Sequence, residues 1–407
     1  MTQTYMTPAK VWRNVAVLAF AQAVLGAQMT MQFIAGGLVG QVLTPWACIA
    51  TLPISMMILG STLAARPLAR FMAQQGRQAG FTLAAGMGAL GGAISFGGIY
   101  VGSFWLYIAG TTVSGVYMAA QGFYRFAAVD GAEPRLHGKA ISAVMAGGLA
   151  AGVTGPWLTD LSREWMGITY LGTYAAIVAL NLVGPPLFAA LAPAPRLPAP
   201  KDASAKGQTL HLRDLMSRPP VVVAMVCAAV SYALMNLVMT STPLAMMGCG
   251  LTSTDTSFVV GAHVLAMYMP SFFTGHLIER FGTTRIVATG MAIMSAAGLI
   301  ALTGVQIEHF TVTLILLGLG WNFGYIGATA MLTRAQRPHE REALQGLNDS
   351  IVFGGVFVAS LASGGLLNCS GSTAQAGWNL VNLAMLPFLA LAGAALVWLT
   401  IRRRQDA

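Results

Sequence analysis

Hydrogen-bonding and aromatic side chains recur at helical spacing within four long apolar stretches of this sequence. Residues three or four positions apart lie on one face of an α-helix, so each set forms a stripe. The stripes comprise Gln28 and Gln32; Tyr117, Gln121 and Tyr124; Tyr232, Asn236 and Thr240; and Asn322, Tyr325 and Thr329, with Trp321 next to the last of them. Amides and phenols donate and accept hydrogen bonds, and flat rings stack on one another. We therefore predict a binding site for a polar ring compound, contacted by Gln28, Gln32, Tyr117, Gln121, Tyr232, Asn236, Trp321, Asn322 and Tyr325.

Each of these side chains has a plainer alternative, which is a hydrogen bond to a neighbouring helix. Gln22, close to the first stripe, is expected to point away from it. No Lys, Arg, Asp or Glu falls at the middle of any apolar stretch. Because a strongly charged solute needs a counter-charge at that depth, the pattern favours a neutral or weakly charged solute.

Three ionisable residues lie inside or beside the apolar stretches. Asp349 is a candidate for coupling transport to a proton, or else a helix cap. His263 is a second coupling candidate, because histidine titrates near neutral pH, or else a structural residue. Asp130 is expected to form a salt bridge near Arg125 at the end of its stretch.

The stretches that carry these residues are long enough to cross a membrane. The chain has 407 residues, of which 56% are hydrophobic and 9% charged, whereas soluble domains carry about 25% charged residues. A helix needs about 20 apolar residues to span a bilayer. Twelve runs qualify, near residues 12–36, 46–67, 79–100, 103–124, 140–159, 168–192, 219–243, 256–278, 285–305, 309–333, 345–368 and 377–401. The composition predicts an all-α, twelve-span membrane protein.

The basic residues give the orientation. Of the 22 lysines and arginines, only Arg163 falls between spans on the side opposite the termini. Positive charge accumulates on the cytoplasmic side of membranes, so both termini are expected in the cytoplasm, with the chain in a bacterial inner membrane. The net charge of +9 is thus a topology signal, and we expect no nucleic-acid partner.

No motif for catalysis, metal binding or nucleotide binding is present. HExxH, GxSxG and the phosphate-binding GxxxxGK[ST] loop are all missing, and we expect no cofactor, no metal and no enzymatic activity. The four cysteines are scattered without CxxC spacing, so no metal site or disulfide framework is implied. Cys249 and Cys369 would both face outside the cell and could pair with each other.

A repeated turn indicates two related halves. The stretch from Gly275 to Arg285 has a weaker counterpart about 206 residues earlier, from Ala69 to Ala79, with Gly76 and Gly282 at the same place. A Pro-, Ala- and charge-rich segment lies between the halves. We predict a first six-helix bundle over residues 1–192, a cytoplasmic linker over 193–218 and a second bundle over 219–407.

Two six-span halves with a charged turn after spans 2 and 8 resemble the major facilitator superfamily. The family motif reads roughly G-x-x-x-D-R-x-G-R-R. The second turn matches it at Gly275, Glu279, Arg280 and Gly282, and the first retains only Gly76 and Arg77. In span 4, Met118 stands where the family signature R-x-x-Q-G has arginine, while Gln121 and Gly122 are kept. Gly155-Pro156 in span 5 is similar to the signature of family antiporters.

The resemblance implies alternating access around a central cavity, with the charged turns as gates. Expected gating residues are Arg77, Gly275, Glu279, Arg280 and Gly282, and Glu279 is expected to pair with Arg280, Arg285 or an arginine of the loop 125–139. Exposed ion pairs contribute little energy. The alternative is therefore that the charged residues of these turns only set the membrane topology and have no gating role.

Three functions remain open at this stage. The run from Arg341 to Asp349 and the aromatic lining are similar to bacterial riboflavin transporters of this superfamily. A multidrug or metabolite exporter of the same superfamily is the alternative within the class. A membrane-embedded enzyme or a sensor is the alternative outside it. The expected partners are a small-molecule substrate and the lipid bilayer, and a monomer suffices.

Overall fold

The fold consists of helices throughout the part of the chain that the structure describes. In this computed structural model, the described residues are 5–133, 136–193, 215, 217–337 and 340–405, and none of them is in a β-strand. The helices are α1 Pro8–Val24, α2 Ala27–Leu43, α3 Leu52–Gln75, α4 Arg77–Tyr100, α5 Phe104–Gly122, α6 Tyr124–Ala127, α7 His137–Ser162, α8 Leu171–Leu182, α9 Gly184–Ala189, α10 Pro219–Gly248, α11 Ser253–Tyr268, α12 Ser271–Phe281, α13 Thr283–Ala301, α14 Ile307–Trp321, α15 Gly327–Ala335, α16 Arg341–Cys369, α17 Ala374–Leu383 and α18 Met385–Gln405.

These helices agree with the predicted spans. Within the described residues, ten helical stretches are long and apolar enough to cross a membrane, and the pair α11 and α12 forms an eleventh that is bent by 42°. The remaining predicted span corresponds to α5, which has 19 residues but is rich in Gly, Ser and Thr. The twelve-helix, all-α prediction is therefore confirmed, and the bend in span 8 is a feature that the hydrophobic run did not reveal.

The helices form two bundles, α1–α9 and α10–α18. The bundles meet where α7 packs on α11 and α3 packs on α16, with α2 against α10. Small residues allow the closest approach: a Cβ atom at Gly261 of α11 would lie 3.0 Å from the carbonyl oxygen of Gly152 and 3.1 Å from Cγ of Pro156, both on α7. Most of the predicted linker, 194–214, lies outside the described residues.

The two repeated turns share one backbone geometry. Gly76 ends α3 with φ 93° and ψ 164°, and Gly282 ends α12 with φ 84° and ψ 153°. Residues with a Cβ atom are essentially excluded from this region, so each turn requires glycine. The sequence repeat therefore corresponds to a repeated chain reversal after spans 2 and 8.

Two ion pairs brace the predicted cytoplasmic ends of the bundles. Arg77 Nε lies 2.7 Å from Asp130 Oδ2, so Asp130 pairs with Arg77 and not with the expected Arg125. In the second bundle Arg218 binds Glu340 through two contacts, Nη1 to Oε1 at 2.5 Å and Nη2 to Oε2 at 3.0 Å. This pair joins the start of α10 to the start of α16.

Candidate functional site

A cavity of about 550 Å³ lies between the two bundles. Its walls come from α1–α3, α5–α7, α10, α11, α14, α16 and the π-helical turn that follows α14, and six methionines line it. Small-molecule sites are typically clefts of about 300–1,000 Å³ with apolar walls and a few polar groups. The size and composition of this cavity therefore suit one small organic molecule.

An aromatic cluster forms the wall contributed by the second bundle. Trp321 and Tyr325 stack at 16° with ring centroids 5.4 Å apart. Tyr232 meets their edges at centroid distances of 5.4 and 5.0 Å, and Phe353 lies 5.8 Å from Tyr232. All four side chains line the cavity. We call these four residues the aromatic cluster. It can offer an apolar flat face to a ring compound.

The stack depends on a local change of helix type. Residues Asn322–Ile326 form a π-helix directly after α14. A π-helical turn contains more residues than an α-helical turn, and such turns are common at functional sites. Because Trp321 precedes this turn and Tyr325 lies within it, the turn fixes their relative orientation. The sequence pattern alone gave no sign of it.

Amide groups lie on the cavity wall at three positions. Gln121 and Asn236 line the cavity as predicted, and Asn236 Nδ2 also donates to the Val356 carbonyl at 3.4 Å. Gln22 lines it too, contrary to the expectation that it points away. The break between α1 and α2 explains the difference, because it changes the helical phase that relates Gln22 to Gln28.

Four of the predicted contacts lie outside the cavity lining. Gln28 exchanges amide hydrogen bonds with Asn181 inside the first bundle, at 3.0 and 2.7 Å. Tyr117 is buried and accepts a hydrogen bond from the Tyr124 hydroxyl at 3.2 Å. Gln28 and Tyr117 therefore form hydrogen bonds between helices of the first bundle, which was the alternative to a contact with the substrate.

Gln32 and Asn322 are also buried away from the lining. Asn322 stabilises the bend in span 8: its Nδ2 donates to the Met267 carbonyl and to Ser271 Oγ, each at 2.7 Å. Thr274 Oγ1 donates to Asn322 Oδ1 at 2.6 Å. In a membrane, neighbouring side chains satisfy backbone groups that a helix break releases. Asn322 has that role between α11 and α12.

Charged side chains occupy the predicted cytoplasmic end of the cavity. Arg66, Arg125 and Asp349 all line it, so the lining is not neutral throughout. Asp349 Oδ1 accepts a hydrogen bond from Asn348 Nδ2 at 3.3 Å. Arg66 falls at the end of the predicted span 46–67, and in the structure it lies nine residues before the last residue of α3. Its position within the helix was the signal that could have identified it.

His263, the other coupling candidate, is buried in the second bundle. Its Nδ1 lies 2.7 Å from the Leu314 carbonyl, to which it can donate. It is not among the residues that line the cavity. This position favours the structural alternative for His263 and leaves Asp349 as the coupling candidate that faces the cavity.

The charged turn after span 8 is exposed. Glu279 and Arg280 lie at the surface, and Glu279 forms no ion pair with any described residue. Arg280 instead lies over the Phe281 ring, 5.3 Å from its centroid. Glu279 therefore does not pair with Arg280, Arg285 or Arg125 in this conformation, and Arg135, another arginine of the loop 125–139, lies outside the described residues. A gating role for Arg77, Gly275, Glu279, Arg280 and Gly282 stays a prediction.

The bundles are fastened together on the side opposite the termini. A disulfide bond joins Cys48, before α3, to Cys369 at the end of α16, with their Cα atoms 5.4 Å apart. The cysteine spacing implied no disulfide framework, and the one pairing considered, Cys249 with Cys369, does not form because Cys249 is unpaired. Spacing along the chain could not show the bond, since the two bonded cysteines lie 321 residues apart on facing ends of the two bundles.

Hydrogen bonds reinforce this closure. Asn368 Nδ2 donates to the Ala47 carbonyl at 2.9 Å, and Ser55 Oγ donates to Ser360 Oγ at 2.8 Å. Between α7 and α11, Ser257 Oγ donates to Asp160 Oδ1 at 2.8 Å. The cavity is therefore closed on the far side, and its charged lining residues lie toward the predicted cytoplasmic ends.

Comparisons with known proteins agree with this architecture. A sequence model of the Major Facilitator Superfamily matches residues 224–407. The riboflavin transporter RfnT of Brucella anthropi is 40% identical over 382 residues, covering 93% of this chain and 94% of the relative.

Solved structures share the fold. The nucleoside transporter NupG superposes with a TM-score of 0.71 at 14% identity, over 96% of this chain and 98% of its own. A bacterial homologue of the human lysosomal transporter Spinster, inward-facing and unoccupied, gives a TM-score of 0.69 at 15% identity, over 96% and 97%.

Proposed function

This chain belongs to the major facilitator superfamily, and on that basis we propose that it carries riboflavin across the bacterial inner membrane by alternating access. The observation that carries the proposal is the aromatic cluster, facing amides across one cavity between the bundles. A tricyclic flavin offers a flat face for Trp321 and Tyr325 and ring carbonyls for the amides of Gln22, Gln121 and Asn236. The relative that is 40% identical over nearly the full length of both chains is a riboflavin transporter, which supports the same substrate.

The proposed conformation is open to the cytoplasm. It follows from the closure of the far side and from the basic side chains at the other end of the cavity. Both bundles that form the cavity come from one chain, so a monomer suffices for transport. Rocking of one bundle against the other would expose the cavity alternately to each side.

Uptake of riboflavin tests the proposal directly. A bacterial strain that cannot synthesise riboflavin and lacks its own importer should grow on about tenfold less external riboflavin when it expresses this chain, because carrier-mediated entry replaces slow permeation. The measurement is the riboflavin concentration that supports half-maximal growth. A variant with Tyr232→Ala and Trp321→Ala, which removes half of the aromatic cluster, should show no such gain. An unchanged requirement with both the intact chain and a variant with Cys48→Ser and Cys369→Ser, each shown to be present in the membrane, would exclude riboflavin uptake. Sensitivity to toxic compounds in an efflux-deficient strain would then test the exporter alternative.

Asp349 is the proposed coupling residue, because its carboxylate faces the cavity in α16. If it carries a proton with each cycle, Asp349→Asn should reduce accumulation against a gradient by about tenfold and should remove its dependence on external pH. The measurement is radiolabelled uptake into vesicles at several pH values. Glu308→Gln is the matched control, since Glu308 is an exposed carboxylate in the first turn of α14. A pH profile that Asp349→Asn leaves unaltered would exclude Asp349 as the coupling residue. The alternative of a helix cap is already contradicted by the structure, because Asp349 is the ninth residue of α16 and Glu340 is its N-cap.

A further inference from the structure

The guanidinium groups of Arg66 and Arg125 lie at the predicted cytoplasmic end of the cavity and form no ion pair with any described residue. We propose that they form a subsite for an anionic group carried by the bound ring compound. The ligand class is a flat heterocycle with an anionic arm, such as a phosphate ester. This inference rests on the proposed function, because the aromatic cluster is the part of the cavity that would hold the ring.

Arg66 lies on the part of α3 that lines the cavity. It lies nine residues before the last residue of α3, which corresponds to about 14 Å along the helix axis. Its guanidinium reaches toward the other bundle, since Nη2 would lie 3.8 Å from a Cβ atom at Gly346 of α16. Arg66 thus extends from the first bundle to the wall contributed by the second.

Arg125 and Asp349 complete the charged end of the cavity. Asp349 lies three residues after Gly346, on the same face of α16, and so close to the region that Arg66 reaches. Arg125, in α6, lies near enough to Asp349 to interact with it electrostatically. All three side chains line the same cavity, Arg66 and Arg125 from the first bundle and Asp349 from the second, with two positive charges against one negative charge.

The predicted cytoplasmic end of the cavity has an excess of positive charge. Charged side chains within a membrane protein generally face water, a partner or a ligand. Arg66 and Arg125 are both exposed to the cavity, and the one carboxylate among its lining residues, Asp349, can neutralise only one of them. A cleft with an excess of one charge attracts small ions of the opposite charge, and guanidinium groups bind planar or tetrahedral oxyanions through paired N–H donors.

Positive charge on the cytoplasmic side is common in membrane proteins, and Arg70 provides the comparison. It lies one helical turn after Arg66 on α3, is exposed and does not line the cavity. The general bias toward cytoplasmic arginine accounts for Arg70. It does not account for a second arginine one turn deeper, turned into the cavity.

The anion subsite is continuous with the ring site. Tyr325 belongs to the aromatic cluster and lies within electrostatic reach of both Arg125 and Asp349. A ring stacked on the cluster would therefore place a substituent of a few atoms beside the guanidinium groups. The arrangement fits one molecule with two chemically distinct ends.

Equilibrium binding to the purified full-length protein in detergent tests this inference with two probes. Riboflavin and flavin mononucleotide share the ring, and only the mononucleotide carries a phosphate. Flavin fluorescence quenching should show that the wild-type protein binds the mononucleotide about tenfold more tightly, as expected for charge-assisted hydrogen bonds. Arg125→Gln or Arg66→Gln should reduce the ratio of the two affinities about tenfold, and Arg70→Gln should leave it unchanged. Arg125→Lys, which keeps the charge, should retain part of the preference.

The outcomes separate the inference from the proposed function. If the wild-type protein binds riboflavin but prefers neither probe, or if the preference survives both glutamine substitutions, the anion subsite is excluded and the riboflavin proposal stands. If it binds neither flavin, both are excluded. A thermal melt of each variant identifies unfolded protein, and an equal loss of both probes in a folded Arg125→Lys variant would also contradict the subsite.

Discussion

Reducing the disulfide between Cys48 and Cys369 is expected to raise riboflavin transport by about tenfold or more over the oxidised protein. The bond joins the far-side ends of the two bundles, and these ends must separate if the cavity is to open on that side. A covalent bond cannot lengthen to allow this, so the oxidised protein should remain in the conformation with the far side closed. The measurement is counterflow of riboflavin in proteoliposomes with and without a dithiol reductant. The two thiols of the reductant become a disulfide as the protein disulfide becomes two thiols.

The other two cysteines provide the control. Cys227 is buried and Cys249 is partly exposed, and neither is bonded, so Cys249→Ser should keep the response to reductant. A variant with Cys48→Ser and Cys369→Ser should transport at the reduced rate under all conditions. Oxidised wild-type protein that already transports as fast as this variant would show that the far-side ends need not separate. The predicted far side faces an oxidising compartment, in which disulfide bonds form and persist, so we expect the bond to be present in the cell and to keep the far side closed there until it is reduced.

Glu340→Ala is expected to lower the free energy of unfolding by about 1.5–3 kcal/mol, because it removes a two-point, charge-assisted contact with Arg218 that joins α10 to α16. The Glu340 side chain is 6% exposed and that of Arg218 16% exposed. Glu340 also accepts a hydrogen bond from the Arg337 backbone N–H at 2.9 Å. The measurement is the midpoint of thermal unfolding in detergent. Glu279→Gln is the control, since Glu279 is an exposed carboxylate with no ion pair among the described residues, and it should shift the midpoint little.

The same pair predicts how stability changes with pH. The hydrogen bonds from Arg218 hold the pKa of Glu340 below its usual value. A group with a lowered pKa in the folded state stabilises the fold fully above the pKa of an ordinary glutamate, about 4.3, and loses this contribution as pH falls through the lowered value. Acidification below that range should therefore destabilise the wild-type protein more than Glu340→Ala. Equal acid sensitivity of the two proteins would contradict this role for the pair.

The helical architecture could be predicted from the sequence, because apolar runs mark the membrane spans and basic residues mark the loops between them, and both patterns are visible in short stretches of sequence. Each span is a continuous apolar run, and the repeated turn is set by Gly76 and Gly282, whose backbone geometry only glycine adopts. The bend within span 8 could not be predicted with its stabilising contacts. Pro270 is compatible with a bend, but the carbonyl of Met267 accepts a hydrogen bond from the amide of Asn322, more than fifty residues later in the sequence.

The cavity was predicted only in part, since a stripe shows which residues share a face and not what that face contacts. Gln121, Tyr232 and Asn236 face the cavity, whereas Gln28 and Tyr117 face helices of their own bundle. Arg66 was overlooked because the positive-inside rule treats every arginine near a span end alike. The Cys48–Cys369 pair depends on how the bundles meet, which no local pattern encodes.

The π-helix Asn322–Ile326 makes the length of span 10 itself a functional property. A π-helical turn corresponds to an α-helix with one residue inserted. Deleting one residue between Trp321 and Tyr325 would restore a regular α-helix in which the tyrosine follows the tryptophan by three positions, about 60° away around the helix axis. Tyr325 would leave the stack, even though every aromatic residue of the cluster would still be encoded. Sequences of this kind can therefore keep all their aromatic residues and still lose the binding surface through a one-residue change of register.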